Sequence, residues 1–278
     1  MRIKRKRKTM DKTSNSSYEN IKNAKRIVIK VGTSTLTYDT GKMNIKRIDT
    51  LARTLSDLHN SGKDIVLVSS GAVGAAMGKL GISERPKETN IKQALAAVGQ
   101  CELMYLYDKL FSEYHNTVAQ VLLTKDDISV PNRMTNTKNT FKTLLDMGII
   151  PIVNENDTVS TDELEIGDND NLSALVAEIV EADLLVLFSD IDGLYDKDPH
   201  TNADAKIIPL VNNIDDVTSL AGGAGSKRGT GGMVTKLEAA RRATDAGINM
   251  IIANGNNIPA LYNVFDGKEL GTLFVSKD

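Results

Sequence analysis

Apolar runs too short to be helices alternate along this 278-residue chain with longer segments whose apolar residues recur at helical spacing. The runs are IVIKV at 27–31, IVLVS at 65–69, VAQVLL at 118–123, IIPIV at 149–153, LLVLF at 184–188, NMIIA at 249–253 and TLFV at 272–275. Between the first two, Ile45, Ile48, Leu51, Ala52, Leu55 and Leu58 mark one face of a helix that Gly62 closes. Further helices are predicted over 71–79, 91–113, 136–147, 171–181 and 234–246, with Gly148 and Gly247 stopping two of them. Strands that are apolar on both sides must be covered on both faces. The pattern therefore predicts an α/β fold, a mainly parallel central sheet between two helical layers. Pro151 counts against a central position for its own strand, because it cannot donate to a neighbour.

In such sheets ligands collect beyond the C-terminal ends of the strands. That rule selects five stretches: 30–35, 69–74, 154–160, 189–193 and 253–256. The loop 219–233, rich in Gly, Ser and basic residues, is the best candidate for a flap.

Composition removes several function classes. With no Trp and 4% aromatics the core must be aliphatic, and a net charge of -2 argues against a protein devoted to nucleic acid. Cys101 is the sole cysteine, so no intramolecular disulfide forms, and His59, His115 and His200 are too scattered for a structural zinc site. No stretch approaches the roughly 20 apolar residues that span a bilayer. The setting expected is reducing and cytoplasmic, with no membrane partner. The opening MRIKRKRKTM is basic but lacks the apolar segment of a secretory signal. Residues 1–23 are read as a disordered leader, and 24–278 as one domain.

The common phosphate-binding and hydrolytic signatures are missing: no G-x-x-x-x-G-K-[ST], no G-x-G-x-x-G after the first strand, no H-R-D or D-F-G, no G-x-S-x-G. Other segments carry chemistry at the selected strand ends. In IKVGTSTL at 29–36, a lysine interrupts an apolar strand, which is costly unless its ammonium finds a partner, and Gly32 admits a phosphate close to the backbone. The alternative is an edge-strand lysine reaching water. SSGAVGAAMG at 69–78 ends a strand in two serines and opens a helix, whose free N–H groups suit an anion. NENDTVS at 154–160 and GDNDNLSA at 167–174 flank an acidic loop with Glu163 and Glu165. Their amides and carboxylates suit the polar ends of an amino acid, its ammonium above all; helix capping would need only one of them. In SDIDGLYDKDP at 189–199, Ser189, Asp190 and Asp192 can meet a nucleotide or a Mg2+-bound water, or merely turn the chain. In GTGGMVTK at 229–236, three glycines precede a helix with Lys236 in its first turn.

Taken together and in this order, these segments resemble the amino acid kinase family, and within it the members that phosphorylate the side-chain carboxylate of glutamate. The resemblance spans about residues 25–277. It implies the three-layer amino-acid-kinase sandwich, with the N-terminal part binding glutamate and the C-terminal part ATP. It also implies roles. Lys30 and Lys236 flank the transferring phosphoryl group, and Asp170 holds both lysines. Ser70, Asp157 and Asn169 bind glutamate. Lys30, Ser189, Asp190 and the stretch Thr230, Gly231, Gly232, Met233, Val234, Thr235 and Lys236 bind ATP. No residue is assigned to a metal directly, since Mg2+ is held mainly by the ATP phosphates. Family members are commonly inhibited by proline and form homodimers or homotetramers, and the acyl phosphate product passes to a glutamyl-phosphate reductase; the same is expected here. Departures are Ser69 and Ser189 where the family often has Thr, and the end at Asp278 without the C-terminal PUA domain that many bacterial members carry.

The chemistry suits these residues. A carboxylate nucleophile with a pKa near ~4.3 is already ionised at neutral pH, so no general base is required. The obstacle is repulsion between two anions, which lysines and backbone N–H donors relieve. A same-fold kinase for aspartate, N-acetylglutamate or carbamate is the nearest rival. A catalytically silent amino-acid sensor is the rival from another class. The acidic, amide-rich 154–170 region fits a free amino group, which an acetylated substrate lacks.

Overall fold

A computed structural model describes residues 18–38, 40–159, 169–199, 201–222 and 232–277. Its strands are β1 Arg26–Val31, β2 Asp64–Ser69, β3 Val118–Leu123, β4 Ile150–Glu155, β5 Leu184–Ser189, β6 Leu210–Val211, β7 Asn249–Asn254 and β8 Thr272–Phe274. They form one sheet in the order β3-β4-β2-β1-β5-β7-β8-β6. Pairing is parallel from β3 across to β7, and β8 runs antiparallel to β7. The expected mainly parallel sheet is therefore present. The short β6, parallel to β8, carries no sequence signal of its own.

The helices are α1 Thr33–Leu36, α2 Ile45–Asn60, α3 Ala72–Leu80, α4 Thr89–Ser112, α5 Lys125–Ser129, α6 Pro131–Asp146, α7 Asn169–Ile179, α8 Met233–Asp245 and α9 Leu261–Phe265. Local chemistry sets their ends. Asn44 caps α2 by accepting from Arg47 N at 3.1 Å. Pro131 opens α6 at a position where its missing N–H costs nothing.

Side-chain alternation along β1 divides the core in two. Ile27, Ile29 and Val31 pack with α2, α4 and α9 on one face. Val28 packs with α6, α7 and α8 on the other. Lys30 shares the parity of Val28, so its side chain emerges on the α7–α8 face. The chain from β1 turns outward to β2 on one side while β5 takes the other, which makes the gap between β1 and β5 the topological switch point of the sheet.

Two expectations are corrected. Pro151 lies in β4, between β3 and β2 and so inside the sheet. Ile150 N and Asn156 N both donate toward β3, so the nitrogen of Pro151 turns toward β2, whose register with β4 begins only at Ile152. The missing donor falls where there is no ladder to break. Second, order begins before Ala24. Tyr18 and Ile21 are buried, and the Tyr18 hydroxyl donates to Leu270 O at 2.9 Å and accepts from Leu270 N at 3.0 Å. Burial pushes the Tyr18 phenol up to about 12. The rest of the leader, 1–17, lies outside the described residues.

Candidate active site

The two lysines of the sequence reading come from opposite ends of the chain and meet at one carboxylate. Lys30 leaves the end of β1, and its Nζ lies 2.6 Å from Asp170 Oδ1. Lys236, in the first turn of α8, places its Nζ 3.0 Å from Asp170 Oδ2. Asp170 itself stands in the first turn of α7 and is 0% exposed. Thr235 Oγ1 adds contacts to Gly232 O at 2.9 Å and Asp170 Oδ2 at 3.4 Å. Burial alone would raise the Asp170 pKa, but the charges and hydrogen bonds of Lys30 and Lys236 outweigh it and hold the carboxyl below its ordinary value. A buried carboxylate between two ammonium groups leaves one net positive charge at the switch point, a site suited to an anion.

Beside it lies a polar cluster drawn from the ends of β2 and β4, from α7 and from α4. Asn169 Nδ2 donates to Ser70 Oγ at 2.7 Å and to Asn154 Oδ1 at 3.0 Å. Asn154 Nδ2 donates in turn to Gln100 Oε1 at 3.0 Å. Ser69 Oγ, one residue before, bonds the buried hydroxyl of Tyr107 at 2.8 Å. Gly71 makes the turn from β2 into α3 with φ +103°, a left-handed conformation that a side chain resists. Asp157 follows β4 and is half-buried; burial raises its pKa, against the opposing charge of Arg85. Glu163 and Glu165 lie outside the described residues.

The third patch is at the ends of β5 and β7. Ser189 Oγ donates to Asp190 Oδ1 at 3.0 Å, and Ser189 O accepts from Gly255 N at 2.7 Å. Asp192 accepts from Asn254 Nδ2 at 2.6 Å and from the Tyr195 hydroxyl at 3.1 Å. An open cavity of about 490 Å³ begins here, lined by Asp192, Asn254, Asn256 and Gly271 among others. Gly232, Met233, Val234 and Thr235 form the start of α8, with Val234 exposed; Thr230 and Gly231 lie outside the described residues.

The structure thus brings Lys30, Asp170 and Lys236 together, and gathers Ser70 and Asn169. Ser189 ends β5, the strand next to β1, and Asp190 follows it. Three buried contributors, Gln100, Asn154 and Tyr107, are not among the site residues that the resemblance implies. Asn154 opens one of the quoted motifs. Gln100 and Tyr107 sit inside a helix, where nothing in the sequence separates them from ordinary core or surface positions. Among the described residues, no group of three or more His, Cys, Asp or Glu is arranged to hold a metal ion, and no helix is long and apolar enough to cross a membrane.

A buried lysine–carboxylate–lysine bridge at the switch point of a parallel sheet defines a class, and the comparisons agree. The model of the amino acid kinase family matches residues 25–254, and the chain belongs to that family. The glutamate 5-kinase of Clostridium perfringens is 55% identical over 262 residues, covering 92% of this chain and 97% of the relative. That of Clostridium tetani is 54% identical over 92% of this chain and 96% of its own. Against the glutamate 5-kinase of Caldanaerobacter subterraneus, 51% identical over 90% of this chain, the match spans 68% of the relative. Among solved structures, carbamate kinase from Giardia lamblia superposes with a TM-score of 0.66 at 16% identity, covering 92% of this chain and 100% of the other. UMP kinase from Bacillus anthracis gives 0.64 at 17%, covering 92% and 97%. At those identities the likeness concerns the fold.

Proposed function

We propose that this chain transfers the γ-phosphate of ATP to the γ-carboxylate of L-glutamate, giving L-glutamyl 5-phosphate, the first step of proline biosynthesis. The observation that carries this is the convergence of Lys30 and Lys236 on Asp170, within one residue of Asn169 and its contact with Ser70. The relatives named glutamate 5-kinase, at 51–55% identity, support the substrate.

In this reading one γ-carboxylate oxygen attacks the γ-phosphorus while the bond to the β,γ-bridging oxygen breaks, and ADP leaves. The carboxylate is already ionised, so no proton has to be removed. Lys30 and Lys236 offset the repulsion between nucleophile and triphosphate, and Asp170 keeps them from turning away. Asn169, Ser70 and Asp157 hold the amino-acid end. Ser189, Asp190 and the Thr230–Lys236 stretch hold ATP, whose nucleoside end has space in the cavity beside Asp192. The division of labour puts glutamate over the N-terminal half of the sheet and ATP over the C-terminal half. Mg2+, carried by the ATP phosphates rather than by side chains of this chain, would supply further charge neutralisation. Inhibition by proline, assembly as a homodimer or homotetramer, delivery of product to a glutamyl-phosphate reductase and action in the cytoplasm belong to the same reading and rest on family resemblance.

The test is hydroxamate formation from ATP, Mg2+ and hydroxylamine with glutamate, aspartate or N-acetylglutamate supplied separately. Product from glutamate alone is expected. Product from another acid would keep the chemistry and overturn the substrate. Binding of glutamate or proline without ATP consumption would make the chain a sensor.

A further inference from the structure

We infer that Gln100, on the inner face of α4, is a positioning residue that sets the polarity of the amino-acid site. The inference rests on the substrate reading above. Gln100 and Asn154 are 7% and 3% exposed, so the bond between them is shielded from water. Gln100 Oε1 accepts, which obliges Asn154 to turn its Nδ2 toward Gln100 and its Oδ1 toward Asn169. Asn169 must then present its Nδ2, whose two hydrogens go to Asn154 and to Ser70 Oγ. With both N–H bonds committed, the Asn169 carbonyl oxygen faces away from its partners. It is an acceptor suited to a cation such as the ammonium group of an amino acid. If Gln100 presented its nitrogen instead, each amide in the chain would reverse, and Asn169 would offer donors where an acceptor is needed.

Helix α4 is fixed closely enough to do this. A Cβ on Gly99 would stand 1.6 Å from Ala72 O, so α3 and α4 are in backbone contact beside Gln100. Two turns on, Tyr107 bonds Ser69, so the same helix face supports the ends of both β4 and β2. Gln100, Asn154 and Asp157 also line one small crevice of about 10 Å³, room for roughly a single water-sized group.

The experiment uses the full chain and the hydroxamate assay. Gln100→Met keeps the length of the side chain and removes the acceptor, leaving Asn154 with a buried unpaired donor. The KM for glutamate is expected to rise about tenfold, with the KM for ATP close to wild type and the melting temperature lowered by a few degrees, the cost of the unpaired donor. Gln100→Glu, which retains an accepting oxygen, should recover most of the loss. In an Asn154→Ala background, Gln100→Met should add nothing, because its effect travels through Asn154. If Gln100→Met does not fold, Gln100→Asn carries the same expectation, its amide being one carbon out of reach. A glutamate KM within about twofold of wild type, equal rises in both KM values, or additivity with Asn154→Ala would each overturn the assignment. Absence of glutamate-dependent product from the wild type would instead overturn the substrate reading, and this inference with it.

Discussion

Asp170 and Lys30 are joined by a 2.6 Å contact between groups almost wholly withdrawn from solvent, with side-chain exposures of 1% and 11%. Because Lys236 shares the same carboxylate at 3.0 Å, removing the acid strands two cations at once. Asp170→Asn is therefore expected to destabilise the protein by about 3–5 kcal/mol at neutral pH, measurable by urea unfolding. The pH dependence has a definite sign. The folded pKa of Asp170 lies below its unfolded value of about 3.9, so its contribution is present above that value and is lost as the pH falls through the folded one. The gap between wild type and variant should close as the pH is lowered through that range. A gap independent of pH would mean that the ionised form of Asp170 is not what stabilises the fold.

Lys236→Ala removes one of the two cations and leaves the other paired with Asp170. If Lys236 acts on the transferring phosphoryl group, kcat should fall by about 10²–10³ while the KM for glutamate changes little. Steady-state kinetics in both substrates decide it. An unchanged kcat would take Lys236 out of the reaction and leave it a structural partner of Asp170.

Gly99→Ala tests the packing beneath the site. The new Cβ has nowhere to go, since the carbonyl of Ala72 would lie 1.6 Å away and Ala76 N 2.9 Å. Both are backbone atoms and cannot swing aside, so α3 and α4 must separate. A loss of about 3 kcal/mol in urea unfolding is expected from one methyl group. A neutral effect would show that the two helices can move apart freely, and with them the support that Gln100 gives Asn154.

How far the sequence reaches can be seen residue by residue. The strands are legible because five or six apolar residues between turns leave little choice, and the apolar run 184–188 stops one residue short of the observed β5 Leu184–Ser189. Pro151 misleads because the rule about proline in sheets concerns the neighbour its nitrogen faces, and that depends on register. Tyr18 misleads because one anchoring aromatic in a polar stretch does not alter the character of the stretch. At the site, Lys30 and Asp170 stand out as charges in apolar or capping surroundings. Gln100 does not, because an amide on a helix acquires meaning only from the strand end it meets 54 positions later in the chain.

Asp157 gives the remaining prediction. Burial raises its pKa above the ordinary carboxylate value, and the charge of Arg85 only partly opposes this. A carboxylate that receives the ammonium group of glutamate must be ionised to do so. In the free enzyme, protonation of Asp157 should therefore weaken glutamate capture at a higher pH than an unperturbed aspartate would. The profile of kcat/KM for glutamate is expected to fall more steeply on the acid side than the substrate's own γ-carboxylate, near ~4.3, would make it, because the raised Asp157 titrates as well, whereas the same profile for ATP at saturating glutamate stays flatter there. Asp157→Asn should lower kcat/KM for glutamate by about tenfold or more at neutral pH and leave only the acid limb of the substrate's own γ-carboxylate, near ~4.3, since an amide has nothing to titrate. An acid limb with the same shape and midpoint in wild type and Asp157→Asn would assign the whole titration to the substrate and leave Asp157 without a part in binding the ammonium.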